Sequence, residues 1–335
     1  MKGILKLPII IWSFLTLAAY ASVMLSPEIF KYSGLVSLAI PFMIIGNIVL
    51  LLLGLFTKPK RALIPLVLLV FGFSFITATI SLDASEEHSS DIKVMSYNLM
   101  RMNKLGREKD VNSLKEWLSN QSSDIKCIQE FLAKEDILEA MSKSNTPYGF
   151  IGGYGSSYAI YSKWPIINQG VFYEANNTNN ILFADIKRGD DTLRVYNVHL
   201  QSMKINVERE LINKDEREAN YNSVRIKFQK GSVRRAEQIA DLLEHVKACT
   251  YPILIVGDFN DTPYSYNYFK ISNGFNNAFE NAGRGFGFTY NGKLPFLRID
   301  NQFYNDGFGV HDFVTLDKID YSDHFPIVGI YSISD

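Results

Sequence analysis

The sequence predicts an α/β protein in which two mixed β-sheets pack face to face with helices outside, preceded by three transmembrane helices. Three observations carry this prediction. Residues 7–27, 32–57 and 62–82 are three runs without Asp, Glu, Lys or Arg. Residues 91–335 then break into short apolar runs separated by polar turns. Several of these strand patterns follow one another with no helix between, unlike the regular alternation of a doubly wound sheet. The composition agrees, since 47% apolar and 13% aromatic residues supply a core and exclude a disordered chain. Two cysteines in this length exclude a disulfide scaffold.

Each N-terminal run matches the roughly 20 apolar residues that cross a hydrocarbon core of ~30 Å. No small-x-small cleavage site follows the first run, which favours a span over a signal peptide. Lys2 and Lys6 precede the first run, and Lys58, Lys60 and Arg61 separate the second from the third. Basic clusters stay on the cytoplasmic side. The expectation is therefore a multi-pass protein of a bacterial inner (cell) membrane, with residues from Asp83 onward facing the periplasm or the cell exterior. Residues 1–82 form the membrane region, 83–90 a polar tether and 91–335 a separate domain. Removing the six basic residues and one acid of residues 1–82 from the 34 and 35 in the chain leaves 28 and 34. The acidic balance of the C-terminal part argues against a broad electrostatic nucleic-acid binder.

The elements of 91–335 follow in order. Residues 92–99 (IKVMSYNL) alternate as a strand, and 109–120 carry Val111, Leu114, Trp117 and Leu118 on one helical face. Residues 125–129, 159–162, 181–186 and 193–200 read as strands, the last bounded by a Gly-Asp-Asp turn. The charged stretch 204–230 reads as a solvated helical face, and 234–246 as an amphipathic helix. Residues 253–256, 286–290, 298–303 and 327–331 complete the strands. The aromatic residues Phe286, Phe288, Tyr290, Phe296 and Phe303 are assigned to the core.

Polar residues fall where these strands end. Asn98, Glu130, His199, the Asp258/Asn260 pair and Asp323/His324 terminate apolar runs, and Asp300 interrupts another. A polar group at such a place is costly unless paired, hydrated or ligating, so this many together point to a cleft. Glu130 and Asp323 offer hard anionic oxygens and Asn98 a neutral one. That set suits Mg²⁺, or Mn²⁺ in its place. His199 and His324 can exchange protons near neutrality. Asp300 can orient His324, and Gly257 permits the close turn that aims Asp258 and Asn260 inward. Together these residues predict metal-assisted hydrolysis of a phosphoester.

The segments SYNL (96–99), IQE (128–130), NVHL (197–200), GDFN (257–260), RID (298–300) and SDHFP (322–326) occur in an order that resembles the endonuclease/exonuclease/phosphatase superfamily. The resemblance covers about residues 91–334. It implies a four-layer α/β sandwich and single-step in-line attack of water. It further implies metal binding by Glu130, with Asn98 and Asp323 near the metal or phosphate. Asp258 would activate the water, Asn260 hold the phosphate, Asp300 and His324 form an orienting pair, and His199 stabilise or protonate. Deoxyribonuclease I-like members pair the equivalent of His199 with a glutamate, whereas GSSYAIY (155–161) offers no acid here. Thr289 is a candidate for the cleft rim and Tyr161 for a phosphate hydrogen bond. The expected partners are a phosphoester (nucleic acid, phospholipid headgroup or small phosphate) and a lipid bilayer met by the N-terminal helices; no obligate protein partner is inferred. A phosphomonoesterase is the alternative, and a non-enzymatic binding domain the weakest reading.

Overall fold

A computed structural model describes residues 6–82, 91–102, 108–173, 179–205, 210, 217–294 and 296–334. The tether expected at 83–90 and parts of the charged insert (206–209 and 211–216) lie outside the described residues. The chain divides into two compact units. One comprises Met1–Ile80, Met203–Glu237 and Pro263–Lys270, the other Ser81–Ser202, Gln238–Thr262 and Ile271–Asp335.

The first unit contains helices α1 (Lys6–Ser22), α2 (Ser33–Ser37), α3 (Ile40–Thr57), α4 (Pro59–Phe71) and α5 (Phe73–Thr77). Small residues let these helices approach closely. A Cβ at Gly46 would lie 2.0 Å from the Trp12 ring, and one at Gly54 would lie 2.8 Å from the Ala62 backbone nitrogen. Buried Asn47 donates to Thr16 Oγ1 at 3.2 Å and to the Met43 carbonyl at 2.8 Å. The long helix α8 (Arg217–Lys247) contributes its first two-thirds to this unit. There Phe228 meets Gly34, and Arg225 donates to the Tyr32 hydroxyl at 3.1 Å. The charged stretch is thus in part a packed helix.

The expectation of three transmembrane helices is corrected. Among the described residues, only Ser33–Thr57 is long and apolar enough to cross a membrane, with mean hydropathy 2.5. The 17-residue α1 reaches about 25 Å at 1.5 Å per residue, short of the ~30 Å hydrocarbon core. The third run is divided at Gly72, whose backbone leaves the helical region (φ −89°, ψ 12°), and it ends in strand β1 (Ser81–Leu82). Composition cannot register that interruption. The multi-pass inner-membrane placement, with its periplasmic or exterior domain, falls with the three spans.

The second unit contains the two mixed sheets. The first has β2 (Ile92–Asn98), β3 (Ile125–Gln129), β4 (Tyr148–Gly152), β5 (Tyr158–Ser162), β13 (Phe308–Thr315) and β14 (Ile327–Ile333), in the order β13-β14-β2-β3-β5-β4. The second has β6 (Ile166–Val171), β7 (Ile181–Arg188), β8 (Asp191–His199), β9 (Ile253–Asp258), β10 (Asn276–Asn277) and β12 (Asp300–Tyr304), in the order β10-β12-β9-β8-β7-β6. Strand periodicity separates the faces. Val94, Cys127 and Ile160 pack between the sheets against Leu182, Val195 and Val256. Met95, Ile128 and Ala159 face outward onto Leu114 and Leu118 of α6 (Glu108–Asn120) and Ile137 and Met141 of α7 (Glu135–Ser142). The C-terminal turns of α8 cover the other outer face, where His245 meets Tyr196 at 2.8 Å. Residues 286–290 do not form the expected strand; only β11 (Arg284–Gly285) pairs there, with β1.

In each sheet one pair of neighbours is parallel, β2 with β3 and β8 with β9. Parallel strands end on the same side, so Asn98, the residue after Gln129, His199 and Asp258 share one rim. Antiparallel β5 and β12 begin at that rim with Tyr158 and Asp300, paired with Gln129 and Asp258. Beneath it the sheets are tied by amides. Gln129 Nε2 donates to Asn197 Oδ1 at 2.7 Å, and Asn197 Nδ2 donates to the Ile128 and Ala159 carbonyls at 3.0 and 2.9 Å. Both side chains are fully buried. Asn197→Ala removes this tie and leaves buried partners unmatched. It should destabilise the fold by about 2–4 kcal/mol, read as a lowered thermal midpoint of the full-length protein.

Candidate active site

Eight site residues predicted from sequence converge on this rim. Asp258 is buried at the centre. Its Oδ1 accepts the Asn260 backbone N–H at 2.8 Å. Its Oδ2 accepts Asn98 Nδ2 at 2.9 Å and Asn260 Nδ2 at 3.1 Å, and lies 3.6 Å from His199 Nε2 and 3.8 Å from His324 Nε2. Gly257 makes this turn possible. At φ 145° a side chain would be strained, and a Cβ would lie 2.0 Å from the Val198 carbonyl oxygen. Glu130 (φ 48°) and Asn260 (φ 50°) also hold left-handed backbone, the local strain that accumulates at functional sites. His324 Nδ1 is bonded to Asp300 Oδ2 at 2.9 Å, which forms the expected orienting pair. Asp323 precedes His324 and receives the Ser322 hydroxyl at 3.3 Å.

Electrostatics follow from burial and crowding. Burial pushes the Asp258 carboxyl upward, and His324 opposes while Asp300 reinforces that shift. Burial also raises Glu130; His324 and Asn98 oppose the shift and Asp323 adds to it. Burial alone would lower His324. The charges of Asp300 and Asp258 and the Asp300 hydrogen bond outweigh it, raising the imidazole to about 10. His199 is lowered by burial and by His324, against the pull of Asp258, and is neutral near pH 7.

The donor set fits a hard divalent ion. Four carboxylates, two imidazoles and two amides surround the rim, and crowded carboxylates are what a dication offsets. Asp258, Asp300 and His324 offer ligand atoms within 4.8 Å of one another. This group differs from the predicted ligands Glu130, Asn98 and Asp323. An ion centred on it would have to displace hydrogen bonds that Asp258 and the Asp300–His324 pair already make. The Glu130 side chain is about one-third exposed and opens to the cleft, 3.8 Å from His199 Nε2.

Some groups escaped sequence reasoning. Tyr158, fully buried, holds its hydroxyl 2.9 Å from His199 Nδ1, and Asn179 Nδ2 lies 3.2 Å from His199 Nε2. The acid absent from 155–161 is thus replaced by a phenol. Burial keeps that phenol protonated by raising its pKa, reinforced by Glu130 and Asp258. Tyr161, singled out from sequence, instead packs outward against Phe131. Strand parity was the available signal, since Tyr158 shares its face with Ile160. Thr289 is at the rim as expected; its hydroxyl accepts the Ile299 and Asp300 backbone N–H groups at 3.0 and 3.1 Å.

Two predictions follow from this geometry. Tyr158→Phe frees the His199 ring without emptying its pocket. It should lower kcat about ten-fold with KM little changed, measured by steady-state kinetics. His324, raised above its ordinary value of ~6.5, contributes stability fully below that pH and loses it as pH rises through about 10. In chelator, the thermal midpoints of wild type and His324→Ala should differ most near pH ~6 and converge by about pH 10.

The profile of the Endonuclease/Exonuclease/phosphatase family matches residues 95–324, more than half of the chain. A second profile, a domain of unknown function (DUF8431), matches residues 2–79. No curated protein sequence matches the chain. Solved structures share the fold at low identity. A conserved protein of unknown function from Enterococcus faecalis V583 is 18% identical with a TM-score of 0.53, covering 72% of this chain and 100% of its own. An endonuclease/exonuclease/phosphatase from Beutenbergia cavernae DSM 12333 is 16% identical with a TM-score of 0.52, covering 73% and 72%. D. rerio TDP2, complexed with a single-strand DNA product, is 15% identical with a TM-score of 0.53, covering 73% and 100%. With the family profile spanning the motifs that supply Asn98, Glu130, His199, Asp258, Asp300 and His324, the chain belongs to the endonuclease/exonuclease/phosphatase family, and its chemistry is metal-dependent hydrolysis of a phosphoester.

Proposed function

We propose that this protein hydrolyses a phosphodiester by direct attack of water, with Mg²⁺, or Mn²⁺ in its place, as the resident ion. The observation that carries this reading is the environment of Asp258, a carboxylate fixed by three N–H donors with its Oδ2 facing two imidazoles. Such a group can take a proton from water without itself moving. Glu130 would hold the ion with Asn98 and Asp323, and the ion would draw charge from the phosphoryl oxygens. His324, its Nδ1 held by Asp300, presents Nε2 toward the place where phosphoryl charge develops. Asn260 and the neutral His199 complete the donors around that position. The O–P bond forms from water as the P–O bond to the leaving alcohol breaks. Water's proton goes to Asp258, and an imidazole N–H supplies the leaving oxygen.

Attachment to a lipid bilayer is supported by the apolar helix Ser33–Thr57 and by large side chains left in the open, such as Phe42 and Phe56, the latter 88% exposed. Residence of the full-length protein in the membrane fraction after alkaline carbonate washing tests it; release into the supernatant overturns it.

Turnover of a soluble chromogenic phosphodiester should require the divalent ion and stop in chelator. Asp258→Asn should lower kcat by about 10³-fold with the fold retained, within the range for a general base. Glu130→Gln should raise the metal concentration for half-maximal activity by about 10–100-fold. An unchanged metal titration removes Glu130 from the ligand set. Faster turnover of the corresponding monoester would make the protein a phosphomonoesterase.

A further inference from the structure

The aromatic residues assigned to the core on sequence grounds separate in the structure. Phe303 is fully buried, but Phe286 and Phe296 are 52% and 73% exposed. Phe286 stacks on Phe288 at 5.4 Å with an interplanar angle of 5°, and Phe296 meets Phe288 edge-on at 5.4 Å. Leu294 and, on β13, Val314 are exposed as well. The first two rings and Val314 border a cavity of about 670 Å³ that Phe313 and Phe325 floor. Contiguous exposed apolar surface of this kind marks an interaction site.

The surface is bound to the catalytic rim. Phe325 follows His324 directly, and its N–H donates to the Thr289 carbonyl at 2.7 Å. Thr289 in turn holds the Asp300 N–H, and the Tyr290 ring lies 5.4 Å from that of His324. At the other end, Arg284 and Gly285 pair with Leu82 and Ser81, and Leu82 is exposed too.

Charge identifies the occupant. Residues 284–298 hold Arg284, Lys293 and Arg298 and no acid, within a C-terminal part that is acidic overall. Arg298 is buried, while Arg284 and Lys293 are exposed beside the phenylalanines. Exposed Phe and Leu flanked by cations match a bilayer surface carrying anionic headgroups. A nucleobase is matched less well. The stacked pair is too close to admit a base between its rings, and the wall offers no row of cations to follow a phosphate backbone.

We propose that segment 284–298 docks on an anionic lipid surface, inserting Phe286, Leu294 and Phe296, so that the adjoining site acts on phosphoesters carried by that surface. The substrate assignment rests on the function proposed above; the docking itself does not.

Two arms separate them. In the first, Phe296→Trp is introduced into the full-length protein, reconstituted in vesicles of phosphatidylcholine and phosphatidylglycerol in equal parts, with acyl chains brominated or not. The emission gained over the parent protein should shift to the blue and be quenched by the brominated chains. Emission as in water, unquenched, overturns the docking whatever the activity. In the second, Phe286→Ser/Phe296→Ser should lower turnover of a phosphodiester headgroup lipid in those vesicles by about ten-fold or more, because each buried phenylalanine contributes to the insertion. Turnover of the soluble chromogenic phosphodiester should stay unchanged. Equal loss on both substrates, or loss confined to a single-stranded oligonucleotide, overturns the lipid assignment. Absence of turnover on every substrate overturns the hydrolytic reading, and with it the substrate assignment, while the fluorescence arm still decides the docking.

Discussion

Everything at the rim depends on the buried tie between Gln129 and Asn197. Gln129 is the last residue of β3, one before Glu130, and Asn197 lies two before His199 in β8. Their hydrogen bond joins the two sheets directly under the groups that must meet. A second tie supports it on the far side. Gln302 donates to the Val94 carbonyl at 3.1 Å, and Tyr331 donates to Gln302 Oε1 at 2.7 Å. Apolar packing between sheets resists separation but slides easily. Amides with fixed partners set the register, because an unmatched polar group in a dry interior costs more than a lost methyl contact.

With the register fixed, topology supplies the convergence. Each sheet contributes one parallel pair, and parallel neighbours finish at the same end. Ligands gather outside such carboxyl ends in open α/β sheets. Here two sheets do so together, which brings Asn98 and Glu130 from one against His199 and Asp258 from the other. Asp300 enters from an antiparallel strand at its first residue, level with Asp258. Carboxylates so close repel one another, and the site answers with neutral amides on Asp258 and an imidazolium between Asp258 and Asp300.

The catalytic end was legible in the sequence because its residues break apolar runs, and an acid or imidazole after IKCIQ or LRVYNV has few ordinary explanations. The sheets were legible for the same reason. What could not be read were relations across the chain. Tyr158 looks like any strand aromatic until β5 is set beside β8. The amide of Asn197 alternates with apolar neighbours as a solvated residue would, yet it is fully buried. The N-terminal region fails in the opposite direction. Composition measures apolar length, and it cannot see that Gly72 divides the third run or that Leu82 leaves the helix to pair with Arg284.

The aromatic segment shows why apolar character and burial must be kept apart. Phe286, Phe296 and Phe303 are chemically identical, and by sequence alone all three belong inside. Phe303 sits in the middle of β12 with strands on both sides and is enclosed. Phe286 and Phe296 sit on backbone that the ladder does not take up. Gly285 and Gly287 hold positive φ and turn the chain away from the sheet after only two paired residues. An exposed phenylalanine is a standing cost in water, and a stacked group of them recovers only part of it. In this chain that cost is placed beside the Asp300–His324 pair and hydrogen-bonded to it through Thr289. A surface that is unfavourable in water and fixed to the catalytic machinery is best understood by what removes it from water.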